Sequence, residues 1–597
     1  MNSFLRVACV SNQITLGNPL ATAESINALI DGIKGYDPHI YLFPSCALTG
    51  SNLGNLAYHR NVIAQCQAGV ESILKQTRKL NAYIVLGSLL LKNGKPQPVT
   101  YVLQKGVIRA VLESEEDYRV IFGAGDISFN VCAVPSDNML LASQDLAYEG
   151  ADVTLIPGTE PAIAGNSETY LETIRTLSKT AACGVAACVG SVGDTSFPYV
   201  SRGITALAEC GTVLAMKQSL MGSIFTVADF DMDIIRSHKA QADLPLAEGE
   251  FCDYMDAQPH EDLLRQVSQD PYLPQDPKQK TNYLLDLFQL QSASLSARLQ
   301  HIHCDKVVIG VSGGLDSTLA LLVCANAFTA LNLPKKNITA VTMQGFGTSG
   351  STYENALTLM NALGCTVREV PIRDSVLQHF ADIGQDPNCH DVTYENAQAR
   401  ERTQILLDIA NQQGAIVVGT GDLSEEALGF ATFAGDHIAN FNVNTCVTKT
   451  MIRALVQVLS QTTRFKNCQQ VLQAILDTPI SPELLPPDEN GAISQKTEEI
   501  LGPYLLHDFF LYYFLKYHFT PKKIFLYAKK AFGDQYDSAY LKEKLAIFLK
   551  RFCQSQFKRS CTPDSAAITE VNLSNSHFFM PSDLDASLFL KELDQLD

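Results

Sequence analysis

Hydrophobic residues in positions 1–255 fall into two patterns, short uninterrupted apolar runs and longer stretches with helical spacing. The short runs are typical of buried strands, and apolar residues three and four positions apart indicate amphipathic helices. The predicted strands are Arg6–Val10, Ile40–Phe43, Tyr83–Leu90, Tyr101–Gln104, Gly106–Leu112, Ile127–Ala133, Asp152–Ile156 and Gly211–Ala215. The predicted helices are Ala21–Lys34, Ala68–Leu80, Leu140–Glu149 and Glu168–Ala182. Their mixed order predicts a layered α/β domain.

Strands and helices alternate more regularly from residue 281 onward. The predicted order is helix Thr281–Leu299, strand Lys306–Gly310, a helix ending at Ala327, strand Ile338–Thr342, helix Tyr353–Leu363, strand Thr366–Pro371, helix Tyr394–Gln412 and strand Ala415–Thr420. Regular alternation at this spacing predicts a doubly wound parallel sheet. In such sheets, ligands bind at the carboxyl ends of the strands.

A polar, proline-bearing segment separates the two patterns, with Pro259, Pro271, Pro274 and Pro277 inside it. At 597 residues, the chain is also too long for a single hydrophobic core. We therefore predict a first domain at 1–255, a linker at 256–280, a second domain at 281–575 and an acidic tail at 576–597.

The net charge of −18 argues against broad binding to nucleic acid or to anionic membranes. The chain has no apolar run of the roughly 18 residues that a membrane span needs, and its start lacks the pattern of a secretory signal. The 16 cysteines are scattered, without a CxxC pair or zinc-ligand spacing. These features predict a cytoplasmic globular protein with reduced thiols.

A glycine-rich loop follows the first strand of the predicted second domain. Its residues are Gly310, Val311, Ser312, Gly313, Gly314, Leu315, Asp316 and Ser317. Two adjacent glycines let the backbone approach a phosphate closely, and the amides at the following helix start attract an anion. Ser312 and Ser317 can add hydroxyl donors, and Asp316 can hold Mg²⁺ against the phosphates. The loop therefore predicts a nucleotide phosphate site.

The segment Ser312–Ser317 resembles the signature of the ATP pyrophosphatases, which attack the α-phosphate of ATP and release pyrophosphate. A Walker A loop is excluded because no lysine follows the last glycine. Further motifs are Gly345-Phe346-Gly347-Thr348, His390 to Arg400, Gly419 to Glu425, Gly435-Asp436-His437, Thr478 to Leu484 and Phe557-Lys558-Arg559-Ser560. Together they resemble NAD synthetase across Asn282–Ser560 and disfavour another member of the class, such as a GMP synthetase.

This resemblance implies amidation of nicotinic acid adenine dinucleotide (deamido-NAD), with ATP and Mg²⁺ as cofactors. The substrate carboxylate would attack ATP to form an adenylate, and ammonia would then displace AMP. The implied ATP contacts are Gly310 to Ser317 and Thr420, the implied Mg²⁺ ligands are Asp316 and Glu425, and the implied catalytic residues are Asp316, Glu425 and Lys558. The implied deamido-NAD contacts are Asn396, Arg400, Glu425, Phe430 and Lys558. Asn396 and Arg400 lie one helical turn apart, on one face.

Residues 4–230 resemble, in their order of strands and helices, the nitrilase-like amidase domain of glutamine-dependent NAD synthetases. That domain uses a Glu–Lys–Cys triad, in which Cys attacks the amide, Glu moves the proton and Lys stabilises the oxyanion. In this sequence Ser45 occupies the Glu position and Ser114 falls near the Lys position. Cys132 lies in the nucleophile segment, with position 133 as an alternative register. The resemblance thus implies an α-β-β-α sandwich followed by a sheet of the adenine nucleotide alpha hydrolase type.

Serine cannot act as a general base at neutral pH, and losing a positioned base costs about 10²–10⁴-fold in rate. We therefore predict an inactive glutaminase and a synthetase that uses free ammonia or ammonia from a partner protein. Two alternatives stay open: a nonstandard amidase site that uses Lys105, Glu115 or Glu116, and a first domain that serves as a binding or assembly module. The resemblance also implies a homo-oligomer, octameric or dimer-based.

Overall fold

The computed structural model describes residues 4–51, 53–113, 120–132, 149–159, 166–192, 202–220, 222–242, 244, 263–347, 350–479, 501–573 and 578–596. The chain divides into two compact units, unit 1 (Met1–Gln266) and unit 2 (Val267–Asp597). The predicted linker at 256–280 spans this division, and its residues 256–262 lie outside the described ranges. Among the described residues, no helix combines the length and apolar character that crossing a membrane requires.

Unit 1 contains two six-stranded sheets with helices against them. The strands are β1 (Phe4–Ser11), β2 (Ile40–Leu42), β3 (Tyr83–Lys92), β4 (Lys95–Gln104), β5 (Val107–Leu112), β6 (Ile121–Ala124), β7 (Ile127–Val131), β8 (Val153–Gly158), β9 (Gly184–Val189), β10 (Gly203–Glu209), β11 (Thr212–Ser219) and β12 (Ile224–Asp231). The helices are α1 (Pro19–Ile33), α2 (Arg60–Gln76), α3 (Asn166–Thr180) and α4 (Met232–Gln241). The strand orders are β12-β1-β2-β3-β4-β5 and β11-β10-β9-β8-β7-β6.

The two sheets of unit 1 share one apolar core, to which β1, β2, β3 and β12 contribute alternate residues and β9 contributes the consecutive residues 185–189. Tyr83 of one sheet meets Phe129 of the other edge-to-face, with 5.0 Å between ring centroids. A second core lies on the opposite face of the first sheet, where α1 and α2 pack, and α3 packs against β9 and β10 of the second sheet. This arrangement is the predicted α-β-β-α sandwich.

Several elements of unit 1 differ from the sequence-based expectation. Strands β9, β10 and β12 and helix α4 were not predicted. β9 and β10 are rich in alanine and glycine, which have low strand propensity, yet both are fully buried. Helix α2 runs over Arg60–Gln76 rather than Ala68–Leu80, and the backbone N–H of Thr77 closes it. The predicted helix at 140–149 lies outside the described residues except for its last position.

Unit 2 is built on a five-stranded sheet surrounded by helices. Its strands are β13 (Val307–Gly310), β14 (Ile338–Thr342), β15 (Thr366–Glu369), β16 (Ile416–Gly419) and β17 (Phe441–Asn442). Its helices are α5 (Pro277–His301), α6 (Leu315–Ala330), α7 (Gly350–Leu363), α8 (Arg373–Ile383), α9 (Val392–Gln413), α10 (Leu423–Leu428), α11 (Lys449–Ser460), α12 (Gln469–Asp477), α13 (Tyr504–Lys516), α14 (Pro521–Phe532), α15 (Ser538–Gln554), α16 (Gln556–Arg559) and α17 (Ser587–Asp594).

The sheet of unit 2 is entirely parallel, with the order β15-β14-β13-β16-β17. The chain reverses its direction of growth between β13 and β16, so the connections after these two strands leave toward opposite faces. Helix α9 packs against both strands on one face. Helix α6 is buried almost all round. The predicted doubly wound sheet is confirmed, and its reversal point leaves a crevice beyond Gly310 and Gly419.

Candidate active site

The loop after β13 is closed by its own hydrogen bonds. The Ser312 hydroxyl lies 3.1 Å from that of Ser317 and accepts from the Gly314 amide at 3.2 Å. The Ser317 hydroxyl in turn accepts from the Ser312 amide. The loop therefore keeps its shape without a ligand, and the first turn of α6 begins directly after Gly314.

Gly313 is required by both its backbone angle and its surroundings. Its φ of +88° lies in the region that L side chains rarely adopt, and a Cβ there would lie 2.1 Å from the carbonyl oxygen of Thr352. A glycine is therefore required here because α7 passes directly behind the loop, while the close approach of the loop to a phosphate stays a prediction.

The main charged feature of unit 2 is a lysine surrounded by three carboxylates. Lys449 Nζ lies 2.7 Å from Asp316 Oδ2, 2.7 Å from Asp422 Oδ2 and 2.8 Å from Glu425 Oε1. We call these four residues the lysine–carboxylate cluster. They come from the starts of α6, α10 and α11, all beyond the carboxyl ends of β13 and β16. The Tyr504 ring lies over the ammonium at 5.4 Å.

Burial controls the ionisation of this cluster. It raises the pKa of Glu425 to about 7, an effect that Lys449 opposes and Asp316 reinforces. Burial likewise raises the pKa of Asp422 well above its ordinary value, against the opposing effect of Lys449. Burial lowers the pKa of Lys449, but the three carboxylates outweigh it and raise that pKa well above the ordinary range. The three carboxylates thus favour the charged form of the Lys449 ammonium.

Asn444 joins the backbone segments that carry the cluster. It is fully buried, and its Nδ2 donates to the carbonyl oxygens of Asp316 at 3.0 Å and Thr420 at 3.2 Å. Its Oδ1 accepts from Gln291 of α5 at 3.1 Å. The end of β16 and the start of α6 are therefore tied together across the reversal point.

The three carboxylates fit a divalent cation. Each offers one oxygen, and these oxygens all lie within 4.8 Å of one another. Such an all-oxygen donor set suits Mg²⁺. Asp316 Oδ1 is in addition buried without a hydrogen-bond partner in the described part of the chain. The predicted ligands Asp316 and Glu425 are brought together here, and the geometry adds Asp422 to them.

Of the five residues predicted to contact deamido-NAD, Glu425 lies in the lysine–carboxylate cluster, and the other four meet at one segment, 429–433, which follows α10. Thr432 donates through its hydroxyl to Asn396 Oδ1 at 2.8 Å, and Arg400 donates to the carbonyl oxygen of Phe433 at 3.2 Å. Lys558 Nζ donates to the carbonyl oxygens of Gly429 at 2.8 Å and Ala431 at 2.7 Å. Arg551 lies over the Phe430 ring at 5.5 Å. These side chains therefore shape one segment beside the lysine–carboxylate cluster.

Cationic and hydroxyl side chains from α15 and α16 cap the carboxyl end of α10. Arg559 is buried and donates to the carbonyl oxygens of Glu426 and Ala427, while Arg551 donates to that of Leu428 at 3.0 Å. Burial lowers the pKa of Arg559 to about 10 and, with help from Arg551, that of Lys558. In this geometry Lys558 holds backbone carbonyls, and its contact with substrate stays a prediction.

The amidase-like residues of unit 1 lie around the end of β8. The Ser45 amide donates to the carbonyl oxygen of Gly158 at 3.4 Å, and the Cys132 amide donates to that of Leu155 at 2.7 Å. Cys132 is fully buried, whereas Ser45 is half-buried. The two acceptors, Leu155 and Gly158, are three residues apart on β8, which separates them by about 10 Å along the strand. Ser114, the third predicted position, lies outside the described residues.

The backbone of Ser45 is also held tightly from behind. A Cβ on Gly87 would lie 1.5 Å from the Ser45 carbonyl oxygen, so β3 and the loop after β2 touch at this point. The amides of Gly87 and Leu48 donate to the carbonyl oxygens of Pro44 and Gly87. The loop therefore holds in a fixed place the backbone of Ser45, the residue predicted at the general-base position of an amidase triad.

The doubly wound sheet, the closed glycine loop and the lysine–carboxylate cluster at the reversal point define the class, a nucleotide-binding enzyme of the adenine nucleotide alpha hydrolase type. The family model described as NAD synthase matches residues 287–532. A glutamine-dependent NAD(+) synthetase from Mycobacterium tuberculosis is 30% identical over 675 residues, covering 100% of this chain and 98% of that protein. The Mycobacterium leprae enzyme of that name is 30% identical, with coverage of 99% and 98%.

The chain belongs to the glutamine-dependent NAD(+) synthetase family, which confirms the resemblance drawn from its motifs. It is accordingly a ligase that forms a carbon–nitrogen bond and uses ATP. A more distant relative of the same name, from Aquifex aeolicus, is 22% identical and covers 87% of this chain and 91% of that protein. A crystal structure of a glutamine-dependent NAD(+) synthetase from Cytophaga hutchinsonii covers 99% of this chain and 100% of that one, at 15% identity and a TM-score of 0.43.

Sequence reasoning assigned no role to Lys449, Asp422 or Asn444. A signal for Lys449 exists, because a lysine in the first turn of a helix opposes the helix dipole, and Thr448 is a recognisable N-cap directly before it. An unfavourable charge at such a position indicates an acidic partner elsewhere. Nothing in the sequence shows which carboxylates these are, because they lie 24 to 133 positions away.

Proposed function

We propose that unit 2 converts deamido-NAD, ATP and ammonia into NAD, AMP and pyrophosphate. A carboxylate oxygen of the nicotinate attacks the α-phosphorus of ATP, and pyrophosphate leaves with the electron pair of the broken P–O bond. Ammonia then attacks the carbonyl carbon of this adenylate, AMP leaves, and the nitrogen loses a proton. The observation that carries the proposal is the lysine–carboxylate cluster beside the glycine loop, because this reaction must bring together anionic partners.

The glycine loop and the lysine–carboxylate cluster bind different charged groups of ATP and Mg²⁺. The amides from Gly310 to Ser317, with the hydroxyls of Ser312 and Ser317, bind the phosphates of ATP at the start of α6. Asp316, Asp422 and Glu425 hold Mg²⁺, which supplies positive charge against the phosphates when bound. The Lys449 ammonium contacts the same carboxylate oxygens and must give them up when the ion binds; it then supplies a second positive charge that stabilises the charge developing on the leaving pyrophosphate. Thr420, at the end of β16, contacts ATP across the crevice.

The segment 429–433 binds deamido-NAD in this proposal. Asn396 and Arg400 hold the segment from α9 and offer their remaining polar atoms to the dinucleotide. Phe430 offers a ring face for stacking on the nicotinate. Lys558 fixes two carbonyl oxygens of the segment in the free protein, and its ammonium also balances the negative charge of a bound dinucleotide.

We further propose that the nitrogen comes from free ammonia or from a partner protein. Ser45 offers a hydroxyl where the family triad has a general base, and a hydroxyl does not accept a proton at neutral pH. Unit 1 then serves as an assembly scaffold in a homo-oligomer. The competing function, glutamine-dependent synthesis through a nonstandard amidase site, is favoured by one observation: relatives named glutamine-dependent align over the full chain.

One assay separates these proposals. Purified protein is given deamido-NAD, ATP and Mg²⁺ with either ammonium or glutamine, and NAD, AMP and glutamate are quantified. We expect NAD and AMP in equal amounts with ammonium, and at least about 10²-fold less NAD with glutamine, since a missing base alone costs that much. Equal turnover with glutamine would show an active amidase site. No NAD from either donor would contradict the proposed reaction of unit 2.

A further inference from the structure

Asp508 is a buried carboxylate of α13 that contacts none of the metal-binding carboxylates. It is 1% exposed. Its Oδ1 accepts from the Ser424 hydroxyl, and its Oδ2 accepts from the Thr450 hydroxyl at 2.7 Å and the Thr450 amide at 3.2 Å. All three donors are neutral, so no described hydrogen bond to this carboxylate comes from a cationic side chain. Burial raises the pKa of Asp508 to about 6, against the lowering effect of these bonds.

The partners of Asp508 are the sequence neighbours of the reacting cluster. Ser424 precedes Glu425 in the first turn of α10, and Thr450 follows Lys449 in the first turn of α11. The Ser424 hydroxyl also accepts from the Lys449 amide at 2.8 Å. Asp508 therefore joins the starts of α10 and α11 through three hydrogen bonds, and one further bond continues to the Lys449 backbone.

The place of this carboxylate has an electrostatic reason. The first amides of a helix have no partner within the helix, and its start carries a partial positive charge. Thr448 accepts from the Met451 amide, which leaves the Thr450 amide for Asp508. A carboxylate at this point thus stabilises α11 in one orientation. That orientation fixes the direction in which Lys449 leaves the helix toward Asp316, Asp422 and Glu425.

We propose that Asp508 is a positioning residue for the synthetase reaction, which acts through Ser424 and Thr450 on the position of Lys449. This inference rests on the proposed role of the lysine–carboxylate cluster. A shift of about 1 Å in a catalytic group can cost roughly 10²-fold in rate. A carboxylate that joins two helix starts is suited to prevent such a shift. Its removal affects turnover more than the affinity for deamido-NAD, which binds at another segment.

The test uses the full chain and ammonium-dependent NAD formation. Asp508→Asn keeps the shape of the side chain, but its NH₂ group is a donor and would face one of the groups that now donate to Asp508. We expect kcat to fall about 10- to 100-fold, with KM for deamido-NAD changed less than about twofold. Thr450→Val, which removes one hydroxyl from the pair of bonds, should lower kcat less, and Thr450→Ser should restore it. Unchanged kcat in both Asp508→Asn and Thr450→Val would overturn the inference.

A matched control distinguishes positioning from general stability. Asp152 of unit 1 is a comparable buried carboxylate, since its Oδ2 accepts from the Ser128 amide at 3.0 Å and hydroxyl at 3.1 Å; it differs from Asp508 in that Arg236 also donates to it, at 3.2 Å. Asp152→Asn should lower the melting temperature and leave kcat unchanged. If Asp508→Asn behaves in the same way, its role is structural and the inference fails. Absence of NAD formation in the unchanged protein would instead contradict the proposed function.

A double-mutant cycle tests the route through the lysine. Asp508→Asn is combined with Lys449→Met, and kcat is measured for both single variants and the double variant. If Asp508 acts by positioning the ammonium, adding Asp508→Asn to Lys449→Met should lower kcat by less than about twofold, because the ammonium is already gone. Additive losses would show that Asp508 affects the reaction by another route and would overturn the inference.

Discussion

The two units of this chain hold two candidate sites that differ in how their charges are supported. In unit 2, Lys449 lies within 2.8 Å of three carboxylate groups, one from the start of α6 and two from the start of α10. In unit 1, Ser45 occupies the position that we propose for the general base of the family triad. The Ser45 amide donates to the carbonyl oxygen of Gly158, and the Gly87 amide donates to that of Pro44 where the two backbones touch.

Under the proposed assignment of Ser45, unit 1 keeps its fold although the chemistry of its site has changed. A buried charge is costly unless it is paired, so loss of Lys449 would leave the three carboxylates of the lysine–carboxylate cluster without their cation. Serine in the place of a glutamate leaves no such imbalance, and backbone hydrogen bonds hold the loop after β2 in either case. In unit 2, stability and the proposed function therefore depend on the same charged residues. In unit 1, the backbone bonds that hold the loop after β2 do not depend on which side chain stands at position 45.

The largest effect that this comparison predicts is at Lys449. Lys449→Met should lower ammonium-dependent kcat about 10²–10³-fold, since one preorganised electrostatic group is lost. Cys132→Ala in unit 1 should leave the same rate within about twofold. AMP release under saturating substrates measures both variants. A strong loss in Cys132→Ala would mean that unit 1 takes part in the chemistry.

Unit 1 supplies a control for the loss of a buried lysine as such. Lys239 is 1% exposed and donates to the carbonyl oxygens of Gly150 at 2.6 Å and Ala151 at 2.8 Å. Lys239→Met should lower the melting temperature without changing kcat. If both lysine variants lose turnover equally, then burial alone, and not the lysine–carboxylate cluster, explains the effect of Lys449.

A smaller effect concerns cation binding without nucleotide. The Lys449 ammonium occupies the space between the three carboxylates, so it competes with a divalent ion for the same oxygens. Lys449→Met should therefore bind Mn²⁺ at least about tenfold more tightly than the unchanged protein, given attraction of roughly 4 kcal/mol per close charge pair near a protein surface. Paramagnetic resonance of free Mn²⁺ measures this. Adding Asp316→Asn should remove the gain, and an affinity at or below that of the unchanged protein would contradict competition.

The fold of unit 2 was predictable because each of its signals is local. The run Val307–Gly310, the two glycines after it and the apolar start of α6 follow one another without interruption. Unit 1 was harder, because β9 and β10 are made largely of small residues. Their strand conformation comes from pairing between neighbours and from burial on both faces, which are tertiary effects that override local propensity.

The candidate site was predictable only where its residues belong to a recognisable motif. Asp316 and Glu425 come from such motifs, and the structure places both in the lysine–carboxylate cluster. Lys449 and Asp508 stand in segments without a signature, and their roles arise from packing between helices distant in sequence. Lys558 lies in a motif, yet its present partners are backbone carbonyls, which no sequence pattern indicates.

The smallest effect tests whether one missing residue accounts for unit 1. Ser45→Glu restores a carboxylate in the half-buried position after Pro44. We expect glutamate release from glutamine to rise less than about threefold, because a base alone does not supply the cation that stabilises the oxyanion, and that loss is worth about 10²–10³-fold. Ammonium-dependent NAD formation, measured in the same sample, should stay unchanged and serves as the control. Strong glutamine hydrolysis in this variant would mean that another group already stabilises the oxyanion. In that case unit 1 is a single substitution away from an active amidase.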